Sequence, residues 1–159
     1  MENKEQKENK EQNKSKVHIV LAHSYSVYLI LFLVGTCFDI IFKLKIVNFP
    51  FSALIGAGFI FFASLLIFWA QKTSRNLQKE NLTKESFSKG PYFFVRNPTY
   101  LGLFFLLIGF GIIANVIFII ITTIISVILT KFIYLKKEEE LLEKKYGEPY
   151  REYKKAVKI

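Results

Sequence analysis

From Asn97 to Thr130 the chain carries no charged side chain. At 1.5 Å per residue a single helix over that stretch would be about 51 Å long, far more than a bilayer's hydrocarbon core of about 30 Å. Two full spans would need about 40 residues. The stretch therefore predicts a tight helical hairpin. Gly109, Gly111, Ala114 and Asn115 mark its turn. The first arm, Thr99 to about Ile113, is short. The second extends to Leu135, with Lys131 snorkelling outward.

The rest of the chain fits the same solvent. Hydrophobic residues make up 52% of it and fall in blocks rather than in an amphipathic period, which excludes an ordinary water-soluble core. Two further spans are expected, Ile19 to Phe42 and Phe49 to Ala70. In the second, Gly56, Gly58, Ala53, Ala57 and Ala63 would allow close helix approach. Asp39 is read as an interfacial residue beside Lys43 and Lys45, and His18 and His23 likewise. No metal-ligand set accompanies the histidines. Residues 1–16 are Lys, Glu, Asn and Gln with almost nothing apolar, and are expected to be a disordered tail. Residues 17–159 then form one membrane domain.

The net charge of +9 lies outside the apolar blocks. It concentrates in the N-terminal tail, the 71–96 loop and the C-terminal tail, so four spans with both termini cytoplasmic are expected. Anionic membrane lipids, not nucleic acid, are the expected partners of this charge, because no nucleic-acid motif accompanies it. The lone Cys37 rules out an intrachain disulfide and reads as a small packed hydrophobe. Together with the short chain it suggests a prokaryotic cell membrane. The fold expected is all-α: about four transmembrane helices, the last two a hairpin, followed by a charged C-terminal cytoplasmic helix.

Polar groups bracket the hairpin. Before it stand Tyr92, Arg96, Asn97 and Tyr100; after it, Glu138 and Glu139. Arg96 can grip a carboxylate or phosphate in a fork. The tyrosines offer ring faces and hydroxyls to a cation or a flat base. The carboxylates can accept from a diol or an ammonium group. Taken singly, these are a headgroup anchor, an aromatic belt and a solvated helix face. Jointly they match S-adenosylmethionine, which carries an adenine, a diol, an amino-acid head and a sulfonium.

Gly90-Pro91-Tyr92, Arg96-Asn97-Pro98-Thr99-Tyr100-Leu101-Gly102, Glu138-Glu139, Leu142, Tyr146-Gly147, Tyr150 and Tyr153 resemble the isoprenylcysteine carboxyl methyltransferase family and the related membrane phospholipid methyltransferases. The resemblance covers residues 84–157. It implies an S-adenosylmethionine-dependent membrane methyltransferase acting on a lipid-like carboxylate or amine. Carried over, Phe87, Tyr92, Asn97, Pro98, Tyr100, Gly102 and Glu138 would bind the cofactor, with Gly102 allowing close approach. Arg96 and Glu139 would be catalytic: Arg96 at the acceptor's anionic end or fixing the local fold, Glu139 as second acidic contact or base. Asn97 replaces the family's usual histidine, so this position cannot titrate near neutral pH. Tyr134 stands where the prenylcysteine enzymes carry an arginine. Two other readings are a nicotinamide-dependent membrane reductase of the sterol-reductase type and a noncatalytic membrane protein with a decayed pocket.

Overall fold

A computed structural model describes residues 2–46, 50–77 and 87–157, with side chains over 16–46, 50–75 and 87–157. Its elements are α1 (Glu2–Phe42), α2 (Ser52–Leu77), a 3-10 turn (Gly90–Phe93), α3 (Pro98–Ala114), α4 (Ile117–Leu129), a π-helical turn (Thr130–Tyr134), α5 (Leu135–Tyr146) and α6 (Glu148–Ala156). No strand occurs among the described residues. α1 is helical from Glu2, inside the tail for which the sequence predicts disorder. Lys, Glu and Gln are good helix formers, so local propensity runs with the helix there. Residues 71–77, read from sequence as loop, continue α2.

Three stretches are long and apolar enough to cross a membrane: Lys16–Phe42, Ser52–Arg75 and Ile117–Tyr146. The fourth apolar helix, α3, has 17 residues and is about 26 Å long, short of a full crossing. Outward-facing side chains such as Leu54, Phe61, Phe68 and Ile41 are exposed, as apolar surface can be only where the solvent is lipid. The protein is an integral membrane protein.

The hairpin between α3 and α4 turns at Asn115, which is left-handed at φ 55°. The Val116 N–H donates back to the Gly111 carbonyl at 3.0 Å, closing the end of α3. Asn115 Oδ1 also accepts the Ile46 N–H at 3.0 Å, tying this turn to the α1–α2 connection. Gly109 and Gly111, expected to mark the turn, instead lie within α3 and are buried. Gly109 meets Gly56: a Cβ on Gly109 would stand 2.7 Å from the Gly56 carbonyl oxygen. The small residues of α2 divide by face, since Gly56 and the fully buried Ala63 serve the α2–α3 contact while Gly58 has nothing within 4 Å.

α1 packs on α4 in the same close manner, Gly35 lying against Thr122 and the Ile119 backbone. The buried hydroxyls of Thr122, Thr123 and Ser126 donate to carbonyls of their own helix, so these three need no partner from lipid. Asp39 lies near the end of the α1 span, where an interfacial residue is expected, but it faces protein rather than Lys43 and Lys45. It is buried, and its two carboxylate oxygens accept the N–H groups of Phe118 and Ile119 at 3.0 Å each. The first turn of α4 has no capping side chain of its own at Val116. Asp39 supplies that cap from another helix, satisfying two donors that the bilayer could not.

Candidate active site

At the opposite end of the bundle from that turn, the middle of α1, the end of α2, the 3-10 turn, the start of α3 and the two charged helices converge. The local sequence explains how. Gly90 is left-handed at φ 60°, and a Cβ there would meet Thr73 Oγ1 at 2.6 Å, so only glycine lets the 3-10 turn sit against α2. Pro98 is buried at the first position of α3, where its missing N–H costs nothing. Asn97 stands at the N-cap, yet its side chain makes no capping bond and lines the cavity instead. The open first turn of α3 thus presents its positive end to the same space.

That space is a cavity of about 430 Å³, within the range of about 300–1,000 Å³ usual for small-molecule sites. Phe87, Tyr92, Asn97, Pro98, Tyr100 and Glu138 all line it, together with Arg96. Tyr100 and Glu138, which flank the hairpin in sequence, meet directly: the Tyr100 hydroxyl donates to Glu138 Oε2 at 3.0 Å. The Tyr100 oxygen also lies 2.7 Å from Ser24 Oγ, whose one hydrogen can go to Tyr100 or to the Leu21 carbonyl at 2.8 Å. The Tyr100 ring rests near those of Tyr25 and Tyr28, with centroids 5.9 and 6.3 Å away.

Glu138 and Glu139 are both buried but have opposite roles in the charge pattern. Glu139 does not line the cavity. Its oxygens take Arg96 Nη1 at 2.8 Å and Lys154 Nζ at 2.9 Å, and Lys154 also reaches Glu143 at 2.8 Å. Those bonds to Glu143 and Glu139 hold the Lys154 ammonium above its ordinary pKa. Glu139 is therefore neutralised from two sides and poorly placed to take a proton from a ligand. Glu138 faces the cavity with a neutral phenol as its partner. Gly102 does not line the cavity either. It packs α3 on α2, with Ile67 where a Cβ would be.

The lid over the cavity is aromatic. Phe87, Tyr150, Tyr153 and Val157 form a small buried cluster, with Tyr92, Leu142 and Tyr146 against it. Phe87 lies edge-on to Tyr146 and Tyr150 at 5.1 and 5.6 Å between centroids. The Tyr153 hydroxyl donates to the Tyr92 carbonyl at 2.8 Å, latching α6 onto the 3-10 turn. Burial pushes the hydroxyls of Tyr92, Tyr150 and Tyr153 above their ordinary pKa, so they stay neutral and serve as hydrogen-bond groups. Gly147, at φ 68° and ψ −141°, makes the corner between α5 and α6 that this closure needs.

Several lining residues carry no sequence signal: Val17, Leu21 and Tyr25 of α1, and Gln71, Ser74 and Arg75 of α2. The π-helical turn is equally silent in the sequence. An extra residue in a helical turn rotates the downstream side chains by about 100° about the axis, and here the turn ends four residues before Glu138. Lys154, the second cation on Glu139, could have been sought on the charged face of the tail, but no spacing singles it out.

The fold and the cavity define an integral membrane protein with a small-molecule-sized site into which one buried carboxylate faces. The model of the phospholipid methyltransferase family matches residues 51–149, more than half of the chain, and the chain belongs to that family. It is a membrane methyltransferase by that membership. No curated protein and no solved structure matches it.

Proposed function

We propose that the protein transfers a methyl group from S-adenosylmethionine to a lipid-like carboxylate or amine, in the manner of the isoprenylcysteine carboxyl and phospholipid methyltransferases. The observation that carries this reading is Glu138, a buried carboxylate turned into the cavity and partnered by a phenol rather than by a cation. Such a group suits the positive and hydroxyl-bearing parts of the cofactor. Tyr25, Tyr92 and Tyr100 offer ring faces to an adenine or a sulfonium. Asn97 and the first turn of α3 suit the carboxylate of the amino-acid head. Phe87 and Tyr150 exclude water from one side. The residues present therefore fit the group, which when bound supplies an electrophilic methyl carbon on sulfur.

Positioning is then the protein's main task. A carboxylate acceptor needs no base. An amine acceptor must lose a proton, and Glu138, not the ion-paired Glu139, is the carboxylate that faces it. Arg96 and Glu139 act through structure, fixing the loop that carries Tyr92 and Asn97 against α5. Family membership favours methyl transfer over the reductase reading. The basic residues at the cavity end favour a cytoplasmic position for that face and for both termini.

Equilibrium binding of labelled S-adenosylmethionine to the detergent-purified protein tests the reading. Binding that falls at least tenfold in Glu138→Ala and Tyr100→Ala is expected. No binding, or binding untouched by both changes, would overturn it. Lipid extracts from cells with and without the protein, compared for a mass gain of one methylene, would identify the acceptor.

A further inference from the structure

A second cavity, about 320 Å³, lies deeper between α1, α2 and α3. It shares Tyr25, Gln71 and Thr99 with the first. Those three are its polar end. Beyond them the walls are Tyr28, Leu29 and Phe32 of α1, Ile67 of α2, and Leu103 and Leu107 of α3. The α3 contribution is one residue per turn, Thr99, Leu103 and Leu107, so the groove is one side-chain row wide on that wall. From Thr99 to Leu107 it runs about 12 Å along the helix.

The groove is open to the side. α1 packs on α4 and α2 packs on α3, which leaves the gap between α1 and α2 to the bilayer. Leu29, a wall residue, is 59% exposed. The Phe32 ring meets Phe110, the next turn of α3, edge-on at 5.5 Å between centroids.

We propose that this groove binds one hydrocarbon chain of the methyl acceptor and that Phe32 is its end stop, making the site a gauge of chain length. The assignment rests on the methyltransferase reading for what the chain's head meets at the collar. The occupant follows from three features: the walls are apolar, the opening faces lipid, and the polar collar of Tyr25, Gln71 and Thr99 joins the groove to the cavity where a head group would react. A chain seated against Phe32 has its polar end at that collar. A longer chain is halted by the Phe32–Phe110 contact and lifts its head out of register. Phe32 and Leu29 belong to α1, which precedes the 51–149 stretch that the family model matches.

The test uses single-chain amines and fatty acids of graded length, each with a photoreactive diazirine on the terminal carbon, added to the full-length protein in phosphatidylcholine vesicles. Labelled residues are mapped by mass spectrometry. The expected result is labelling at Phe32 and Leu107 with a sharp optimum in chain length, and a shift of that optimum to longer chains with labelling of Phe110 in Phe32→Ala. Leu103→Trp, which fills the groove, should abolish the signal even if Phe32→Ala does not fold. Labelling spread over lipid-facing residues such as Phe61 and Leu54 with no optimum, or groove labelling unaltered in both variants, would overturn the proposal. So would crosslinks showing a second copy of the chain in the groove. S-adenosylmethionine binding measured on the same vesicles separates the two claims: groove labelling without cofactor binding would count against the methyltransferase reading alone.

Discussion

Tyr100 donates its hydroxyl hydrogen to Glu138 across a separation of 38 residues, at 3.0 Å. One residue opens α3 and the other lies early in α5, so the bond joins the two ends of the hairpin at the rim of the cavity. A hydrogen bond to a charged group contributes about 1.5–3 kcal/mol. Tyr100→Phe should therefore weaken S-adenosylmethionine binding by roughly 10–100-fold while leaving the helix content by circular dichroism unchanged. An unchanged dissociation constant would show that Glu138 needs no phenol.

Ser24 should act through Tyr100. Its hydroxyl lies 2.7 Å from the Tyr100 oxygen and is fully buried. Ser24→Ala should lower cofactor affinity by about 0.5–1.5 kcal/mol, the net contribution of one neutral hydrogen bond. That effect should vanish in a Tyr100→Phe background. A loss of the same size in both backgrounds would mean that Ser24 matters only for packing.

The two cations on Glu139 should differ in weight. Arg96 is 18% exposed at the side chain and Lys154 33%. Lys154→Met should change stability by only about 0–1 kcal/mol, as for exposed pairs. Glu139→Gln removes both pairs and leaves Arg96 half-buried beside an amide, a cost of about 2 kcal/mol, below that of breaking a fully buried pair. Thermal unfolding in detergent ranks the two variants, and the reverse order would contradict the arrangement described.

Asp39 should matter for stability and not for the site. Asp39→Ala removes the cap of α4 and should cost about 1–2 kcal/mol. Asp39→Asn keeps one acceptor oxygen and should cost less. Both should bind S-adenosylmethionine as the wild type does, because Asp39 sits at the far end of the bundle. Weaker binding in a variant that unfolds at the wild-type temperature would break this separation.

Gly109→Ala should be more damaging than Gly102→Ala. At Gly109 the new methyl meets the backbone oxygen of Gly56, which cannot turn aside. At Gly102 it meets Ile67 Cγ1, a side-chain atom that can move only by a change of rotamer or a small helix shift. Overpacking costs lie within about 1–3 kcal/mol at both, towards the upper end at Gly109 and the lower end at Gly102. Unfolding temperatures compare them, and equal losses would mean that both helices shift freely.

The hairpin, the short first arm and the meeting of Tyr100 with Glu138 were legible in the sequence, because each follows from a length or from paired motifs. The inward faces of α1 and α2 were not. In a bilayer, lipid-facing and protein-facing sides of a helix are both apolar, so hydropathy does not single out Ser24, Tyr25 or Phe32. Glycine misled for a related reason. It serves both turns and close helix contact, and Gly109 and Gly111 do the second. The partners of Asp39 were not legible, because they are backbone N–H groups about 80 residues away in the chain. Glu138 and Glu139 adjoin in the sequence, yet the first meets a phenol and the second two cations, and no spacing marks that difference.

The Tyr153–Tyr92 latch has a consequence for biosynthesis. Both of its elements lie outside the spanning helices, and α6 is made after all of them. During synthesis the ribosome must therefore release every membrane helix before the cavity can acquire its roof. The growing polypeptide integrates into the bilayer with Glu138 still uncovered, and the cavity gains its roof only once α6 has been made and has left the ribosome.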